Sequence, residues 1–331
     1  MLIDLAFVGL GLVILLLAGD ALVKGAVNIS LRLGIPAVLV GLTVVAFGTS
    51  APELLVSVQA VLRDAPGLAL GNVVGSNIAN ILLVLGIPAL IAAVPVERDE
   101  SLRGYAIMMW ASVLFIGLAL LGPFTWWHGV ILLAALALML ADTWRRAQNH
   151  RAANGNGAFA AVGPEAGPEA EALEGADPHM SWLKVGLYTV LGLIGLPLGA
   201  DLLVDGAVSI AATLGVSDAI IGLTLVAVGT SLPELATTVM AAIRREAGVA
   251  MGNVIGSNIF NLLGIIGVAA LVGPLPVPPQ MLGFDLWVML GVSIMLAPFV
   301  LRSRSIGSGM GLGFLALYLI YLTALILNAG G

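Results

Sequence analysis

Read for the alternation of apolar and polar positions, the chain resolves into long apolar runs separated by short polar turns. The runs predict helices over about 5–30, 37–61, 67–92, 102–121, 125–143, 183–213, 217–242, 249–273, 281–301 and 309–328. Runs of roughly 20 residues are what a helix needs to cross about 30 Å of hydrocarbon. They are continuous, whereas the strands of a transmembrane barrel would be shorter and alternating. Proline and glycine punctuate them at Gly34-Ile35-Pro36, Pro66-Gly67, Pro95, Gly122-Pro123 and the run from Gly273 to Pro279 with its four prolines. The pattern predicts an all-α polytopic membrane protein of ten transmembrane helices.

Composition strengthens that reading. Of 331 residues 60% are hydrophobic and only 10% charged, against roughly a quarter charged in a soluble domain. The net charge of −6 comes largely from one loop, and no basic patch suggests nucleic acid. There is no cysteine, hence no disulfide framework and no thiolate metal site. The first apolar run has no basic segment before it, which predicts an uncleaved first helix and no signal peptide.

Two stretches say nearly the same thing. Residues 41–86 and 222–267 align without a gap at an offset of 181, with 26 of 46 positions identical. Each carries a GTSxPE core and a GNVxGSNIxN tail in otherwise apolar sequence. Upstream, Asp20-Ala-Leu-Val-Lys-Gly-Ala-Val matches Asp201-Leu-Leu-Val-Asp-Gly-Ala-Val at the same offset. Each half therefore holds five helices. Because five is odd, the second half enters the membrane from the opposite side, making two inverted-topology repeats with a binding site expected between them. The divisions are 1–144 for the first repeat, 145–181 for a linker and 182–331 for the second repeat. The linker, rich in Ala, Gly, Pro and Glu, is expected to be flexible.

The basic residues orient the chain. With the N-terminus outside, Lys24, Arg32, Arg98, Arg103, Arg145, Arg146, Arg151, Lys184, Arg244, Arg245, Arg302 and Arg304 all fall on the inner side, and only Arg63 falls outside. Both termini are then outside and the linker is cytoplasmic, in a multi-pass protein of the inner (plasma) membrane. Trp126 and Trp127 suit an outer aromatic belt, and His128, His150 and His179 are expected to be solvated.

The chemistry lies in the repeats, since polar side chains within apolar helices mark function by default. Pro52 and Pro233 cannot donate an N–H and clash with the preceding turn, so each helix should bend just upstream and free carbonyls around Ala46–Thr49 and from Ala227 onward. Such backbone survives at membrane depth only where it is buried in protein or lines a cavity. Asn72, Ser76 and Asn80 share one helix face, as do Asn253, Ser257 and Asn261, while Gly71, Gly75, Gly252 and Gly256 are small enough for helices to approach closely. With Glu53 and Glu234 this is an all-oxygen donor set, suited to Ca²⁺, Na⁺, Mg²⁺ or Mn²⁺; Ca²⁺ accepts about 6–8 oxygens in a flexible shell. The small polar residues can also act as interhelical glue. Asp20 and Lys24 at i, i+4 can simply pair; Asp20, Asp201 and Asp205 are weaker candidates for gating. Paired carboxylates can do acid–base work, but no nucleophile–base pair accompanies them, and no enzymatic activity or cofactor is expected.

The paired GTSAPE/GTSLPE and GNVVGSNIAN/GNVIGSNIFN motifs resemble the α-repeats of the sodium/calcium exchanger family, within the cation/calcium antiporter superfamily, and the resemblance covers the whole ten-helix layout. It implies Ca²⁺ held by the carboxylates of Glu53 and Glu234 with the carbonyls of Thr49 and Thr230. It also implies Na⁺ sites using Ala46, Ser50, Ser76, Ala227, Ser231 and Ser257, with Asn80 and Asn261 at the centre. Some members, potassium-dependent ones included, carry Asp where this chain has Asn261 or Asn80, which argues against potassium coupling. The proton/calcium branch carries GNxxE motifs, absent here. The expected function is Na⁺/Ca²⁺ antiport by alternating access, exporting Ca²⁺ electrogenically at a ratio near 3:1; H⁺/Ca²⁺ exchange on the same two glutamates is the alternative. The expected partners are Ca²⁺, Na⁺ and the lipid bilayer, with no protein partner evident.

Overall fold

The computed structural model describes residues 2–96, 98–153, 177, 180–213 and 227–329. Within them every regular element is a helix. In chain order these are α1 (Leu2–Leu33), α2 (Ala37–Thr49), α3 (Ala51–Leu62), α4 (Pro66–Ile91), α5 (Arg98–Leu120), α6 (Trp126–Ala153), α7 (Trp182–Thr213), α8 (Ala227–Thr230), α9 (Leu232–Ile243), α10 (Ala247–Val272), α11 (Met281–Arg302) and α12 (Ser308–Ala329). Eight are long and apolar enough to cross a membrane, and the bent pair α2–α3 makes a ninth among the described residues. The first part of the run expected at 217–242 lies outside them; α8 and α9 are its remainder.

Burial ranks the helices. In α4 and α10, which carry the GNVxGSN tails, 72% and 83% of the most apolar stretch is buried; in α1 and α7 the figures are 22% and 28%. The repeat tails are thus the centre of the molecule, and the two 32-residue helices, with α12 at 22%, lie at its periphery. At 1.5 Å per residue each of the two 32-residue helices is about 48 Å long, more than the roughly 30 Å hydrocarbon thickness. They run antiparallel. Gly11 faces the backbone of Leu203 and Gly206 that of Asp4, so closely that a Cβ on either glycine would come within 2.6 Å of a main-chain atom. Small residues serve this purpose in membranes, where lipid is as apolar as leucine and association depends on close packing.

The chain bends where proline required it. Between α2 and α3 the axis turns by 43°, with Ser50 (φ −85°, ψ 7°) as the non-helical residue and Pro52 in the first turn beyond. Ser231 (φ −90°, ψ 4°) and Pro233 repeat this between α8 and α9. Each broken helix then reverses through a left-handed residue that is not glycine, Asp64 (φ 58°) and Arg245 (φ 60°). The turns are closed by Ala65 N–H donating to Ala60 O and Glu246 N–H donating to Ala241 O, both at 2.8 Å, a helix C-terminal closure. Further out, Val94 pairs by two backbone hydrogen bonds with Ile306, and Phe124 with Leu275.

Two expectations are corrected. Helix α6 does not end near 143 but continues to Ala153. Arg145, Arg146, Ala147 and Gln148 are good helix formers, and Asp142 anchors the extension by accepting from Arg103 at 2.7 Å and from Arg146, one turn on, at 3.1 Å. The flexibility expected of the linker concerns residues outside the described ones from 154 to 176. His128 is buried, not solvated. It stacks on Trp127 and its Nδ1 accepts from the Thr125 N–H at 3.1 Å, closing the first turn of α6. His179 lies outside the described residues.

Glu246, in the turn before α10, is buried, and burial pushes its carboxyl up to about 7 even though Arg244 opposes the shift. A folded-state value above the unfolded one means that folding takes up a proton between about pH 4.5 and 7. The resulting stability is present below pH 4.5 and is lost as pH rises through 7; the full shift corresponds to roughly 3 kcal/mol. Thermal unfolding in detergent should therefore show a melting temperature that falls from pH 5 to 8. Glu246→Gln should flatten that slope; an unchanged slope would assign it to other groups.

Candidate functional site

Both glutamates are completely buried. They stand in the first turns of α3 and α9, just past the breaks, with α4 and α10 behind them. The second repeat's Asn253 donates to the carbonyl of Glu234 (3.3 Å) and to Thr238 Oγ1 (3.1 Å). The first repeat does the same at positions 181 earlier: Asn72 donates to the carbonyl of Glu53 (3.3 Å) and to Ser57 Oγ (3.1 Å). Each asparagine then accepts across the interface, Thr49 Oγ1 donating to Asn253 Oδ1 (3.2 Å) and Thr230 Oγ1 to Asn72 Oδ1 (3.3 Å). Asn72 and Asn253 are therefore clasps that fix the glutamate-bearing turns.

A second reciprocal set lies one to two turns further along. Asn80 donates to Asn258 Oδ1 (3.0 Å) and Asn261 to Asn77 Oδ1 (3.1 Å). Asn77 and Asn258 donate to each other's backbone carbonyls at 3.3 and 3.4 Å, with the sulfurs of Met289 and Met108 as secondary acceptors. Sequence reasoning passed over Asn77 and Asn258, although both repeats carry them at the 181 offset and that match was the available signal. Asn261 sits in a π-helical turn over Phe260–Ile265. Such turns rotate side chains off the regular helical spacing and recur at functional sites.

These bonds occupy the amide N–H groups and leave oxygens behind. Buried oxygens without a hydrogen-bond partner include both carboxylate oxygens of Glu53, Glu234 Oε2, Ser76 Oγ, Ser231 Oγ, Asn80 Oδ1 and Asn261 Oδ1. Native proteins pair the great majority of buried polar atoms, yet here seven orphans fall in the two matched motifs. All belong to residues singled out from the sequence. The set is asymmetric: Glu234 Oε1 accepts from Ser50 Oγ (2.9 Å) and Ser257 Oγ (3.5 Å), whereas the equivalent hydroxyls Ser231 and Ser76 have no partner.

Other expectations fare differently. Pro52 deprives the carbonyl four residues before it, that of Gly48, of its donor. The Ala46 carbonyl instead accepts from Ser50 N–H at 3.1 Å and from Thr49 Oγ1 at 3.3 Å. On the other side Ser231 N–H reaches Val228 O at 3.0 Å, and the side chain of Ala227 lies outside the described ones. Gly252 and Gly256 do make the expected close approaches, since a Cβ on either would meet Val38 O or Leu42 O at 2.5 Å. Gly71 and Gly75 do not; a Cβ there meets nothing within 4 Å. They line a cavity of about 270 Å³ that also reaches Asn72, Ser76 and Thr230. The open face of α4 and the closed face of α10 are the structural difference between two nearly identical motifs. Asp20 pairs with Lys24 (2.9 Å) and with Arg244 of the α9–α10 turn; Asp201 and Asp205 are exposed.

The model of the sodium/calcium exchanger protein family matches residues 3–144 and 184–327. The chain belongs to the sodium/calcium exchanger family. It is 34% identical to the sodium/calcium exchanger MaX1 of Methanosarcina acetivorans, with 96% of each chain covered. It is 36% identical to the putative antiporter CaxA of Alkalimonas amylolytica, with 91% of each covered, and 35% identical to the inner membrane protein YrbG of Escherichia coli over 95% of this chain and 94% of that one. Among solved structures it resembles the sodium-calcium exchanger NCX_Mj soaked with Na⁺ and Sr²⁺, with a TM-score of 0.79, 32% identity and coverage of 97% and 98%. A multi-pass helical membrane protein of the exchanger family is thus established by sequence and by fold together.

Proposed function

We propose that this exchanger-family chain is a Na⁺/Ca²⁺ antiporter that exports Ca²⁺ by alternating access. The carrying observation is the set of seven buried, unpartnered oxygens supplied by both repeats. Two carboxylates with hydroxyl and amide oxygens match the hard donors that Ca²⁺ and Na⁺ prefer. In this reading Glu53 and Glu234, with the carbonyls of Thr49 and Thr230, hold Ca²⁺. Ser50, Ser76, Ser231, Ser257, Asn80, Asn261 and the Ala46 and Ala227 carbonyls serve Na⁺. The Ala46 carbonyl would use its remaining lone pair, or exchange the Thr49 hydroxyl for the ion.

The reading includes ten spans arranged as two inverted five-helix repeats, 1–144 and 182–331, joined by the 145–181 linker. Antiparallel packing of α1 on α7, which occupy equivalent places in the repeats, supports the inversion. So do the clasps, which cross reciprocally between halves. The order of the spans agrees with the loop pairing, which sets Val94 and Ile306 on one side and Phe124 and Leu275 on the other; both termini outside and the linker cytoplasmic follow from the basic residues. In that orientation the first pair is inner and the second outer. The open cavity along the first half of α4 then faces outward, and the α10 side is closed.

Coupling follows from charge. An empty cage carries up to two negative charges and crosses an occluded state only with cations aboard, because uncompensated buried charge costs several kcal/mol. For a ~10⁴-fold Ca²⁺ gradient and ~100 mV, inside negative, export costs about 10 kcal/mol. Each Na⁺ entering down a ~10-fold gradient contributes roughly 3.7 kcal/mol. Two fall short and three suffice, giving electrogenic exchange near 3:1. The test is Ca²⁺ flux in proteoliposomes with Na⁺, K⁺ and H⁺ gradients imposed one at a time. Na⁺-driven, voltage-sensitive flux is expected. Sodium-independent, electroneutral flux would overturn the assignment, and uptake driven by a pH jump without sodium would replace it by H⁺/Ca²⁺ exchange on the same glutamates.

A further inference from the structure

The α4 cavity has a second polar end that the cage does not use. Opposite Gly67, Gly71 and Gly75 it is lined by Asp285 of α11 and by Tyr318 and Tyr321 of α12. Asp285 is more than nine-tenths buried, and Tyr321 Oη donates to its Oδ1 at 3.3 Å. Among the described residues it forms no ion pair. A carboxylate at membrane depth with one neutral, rather long hydrogen bond is expensive to maintain, and a purely structural acid would be expected to have closer partners.

Two independent features bear on its role. Asp285 closes a π-helical turn, Met281–Asp285. The other two described π turns, Gly41–Val45 and Phe260–Ile265, lead directly into Ala46–Thr49 and contain Asn261. The helix distortion that aims residues at the cage thus recurs where Asp285 enters the cavity. Second, Ser76 Oγ, 3% exposed and without a partner, lines the same cavity. One space therefore joins a carboxylate and a phenol at one end to an unsatisfied cage hydroxyl at the other, with glycines between them that leave it unfilled.

We infer that Asp285, with the Tyr321 hydroxyl, forms an accessory subsite for a monovalent cation on the way to the Ser76 side of the cage. One carboxylate balances a single positive charge, whereas a divalent ion would remain half-compensated in a region of low dielectric. Occupation by Na⁺ rather than Ca²⁺ follows, and in this respect the inference rests on the sodium reading above.

Asp285→Asn keeps the shape and removes the charge. It should raise the half-saturating Na⁺ concentration for Na⁺-driven Ca²⁺ flux by about 10-fold, while Ca²⁺/Ca²⁺ exchange in sodium-free proteoliposomes stays within twofold of wild type. Asp285→Glu should recover part of the Na⁺ dependence. An unchanged Na⁺ dependence in Asp285→Asn, or an equal loss of Ca²⁺/Ca²⁺ exchange, would overturn the subsite. If Asp285→Asn cannot be recovered folded, Tyr321→Phe decides: a Na⁺ requirement raised about threefold supports the subsite, and an unaltered one refutes it. Should the wild type show no Na⁺-driven flux, the coupling assignment fails by itself. Na⁺-induced thermal stabilisation in detergent then judges the subsite, which is upheld if Asp285→Asn diminishes the shift and overturned if it does not.

Discussion

Replacing Glu53 by Gln is expected to abolish Ca²⁺ exchange and to leave the folded protein at least as stable as before. The two outcomes have one cause. Both carboxylate oxygens of Glu53 are buried and accept no hydrogen bond, so when deprotonated the side chain is an uncompensated charge, costing several kcal/mol unless a cation is bound. Gln removes the charge and with it the attraction for the divalent ion. Loss of one partner from a buried charge pair is typically about 3–5 kcal/mol, which corresponds to a drop in affinity of about 10²–10⁴-fold. Glu234→Gln should abolish exchange equally but behave differently in the melt. Glu234 already accepts from Ser50 at 2.9 Å and from Ser257 at 3.5 Å, so weakening those bonds should lower stability by roughly 1–2 kcal/mol. Flux of radioactive Ca²⁺ into proteoliposomes, with thermal unfolding in ion-free detergent, reads both effects. Retention of more than a tenth of wild-type flux by either variant would remove that glutamate from the ion path.

The candidate site stands out in the sequence because membranes make polar residues conspicuous. Glu53, Ser76, Asn80 and their partners stand in runs that are otherwise mostly apolar, and the 181-residue offset doubles every signal. Span boundaries were legible for the same reason: Pro66, Pro36 and the Gly273–Pro279 run punctuate sharply, and α4, α10 and α11 begin and end within about two residues of expectation. Periodicity could not show which polar atoms satisfy one another. Asn72 and Asn80 share one helix face, yet the first donates to the glutamate turn of its own repeat and the second to Asn258 of the other. Nor could it foresee that α6 would run on to Ala153, or that His128 would be covered by Trp127, since both depend on tertiary neighbours. Asp285 was passed over because it lies outside the matched motifs, and its π turn and cavity are three-dimensional facts.

The deepest gap between sequence and structure concerns the glycines, and it yields the second large effect. Gly71 and Gly252 occupy the same place in GNVxGSN, as do Gly75 and Gly256, and substitution by Ala is expected to have opposite consequences. At Gly252 or Gly256 the new methyl meets the Val38 or Leu42 carbonyl at 2.5 Å. Backbone cannot move aside cheaply, so each should destabilise by about 1–3 kcal/mol. At Gly71 or Gly75 the methyl meets nothing, and Ala should stabilise the helix by roughly 0.5–1 kcal/mol. Under the alternating-access mechanism proposed above, this difference becomes a functional one. If the repeats exchange roles in the inward-facing state, α4 must then pack as α10 packs here, and its glycines must meet backbone. Gly71→Ala with Gly75→Ala would raise the melting temperature and still slow transport, because the variant favours the form seen here, with the α4 face open, and penalises the other by about 1–3 kcal/mol per methyl. That combination, a more stable protein with at least 10-fold slower turnover, is what the proposed inverted-repeat symmetry requires. Stabilisation with undiminished turnover would show that α4 never adopts the packing seen at α10, and that transport proceeds without the two repeats trading places.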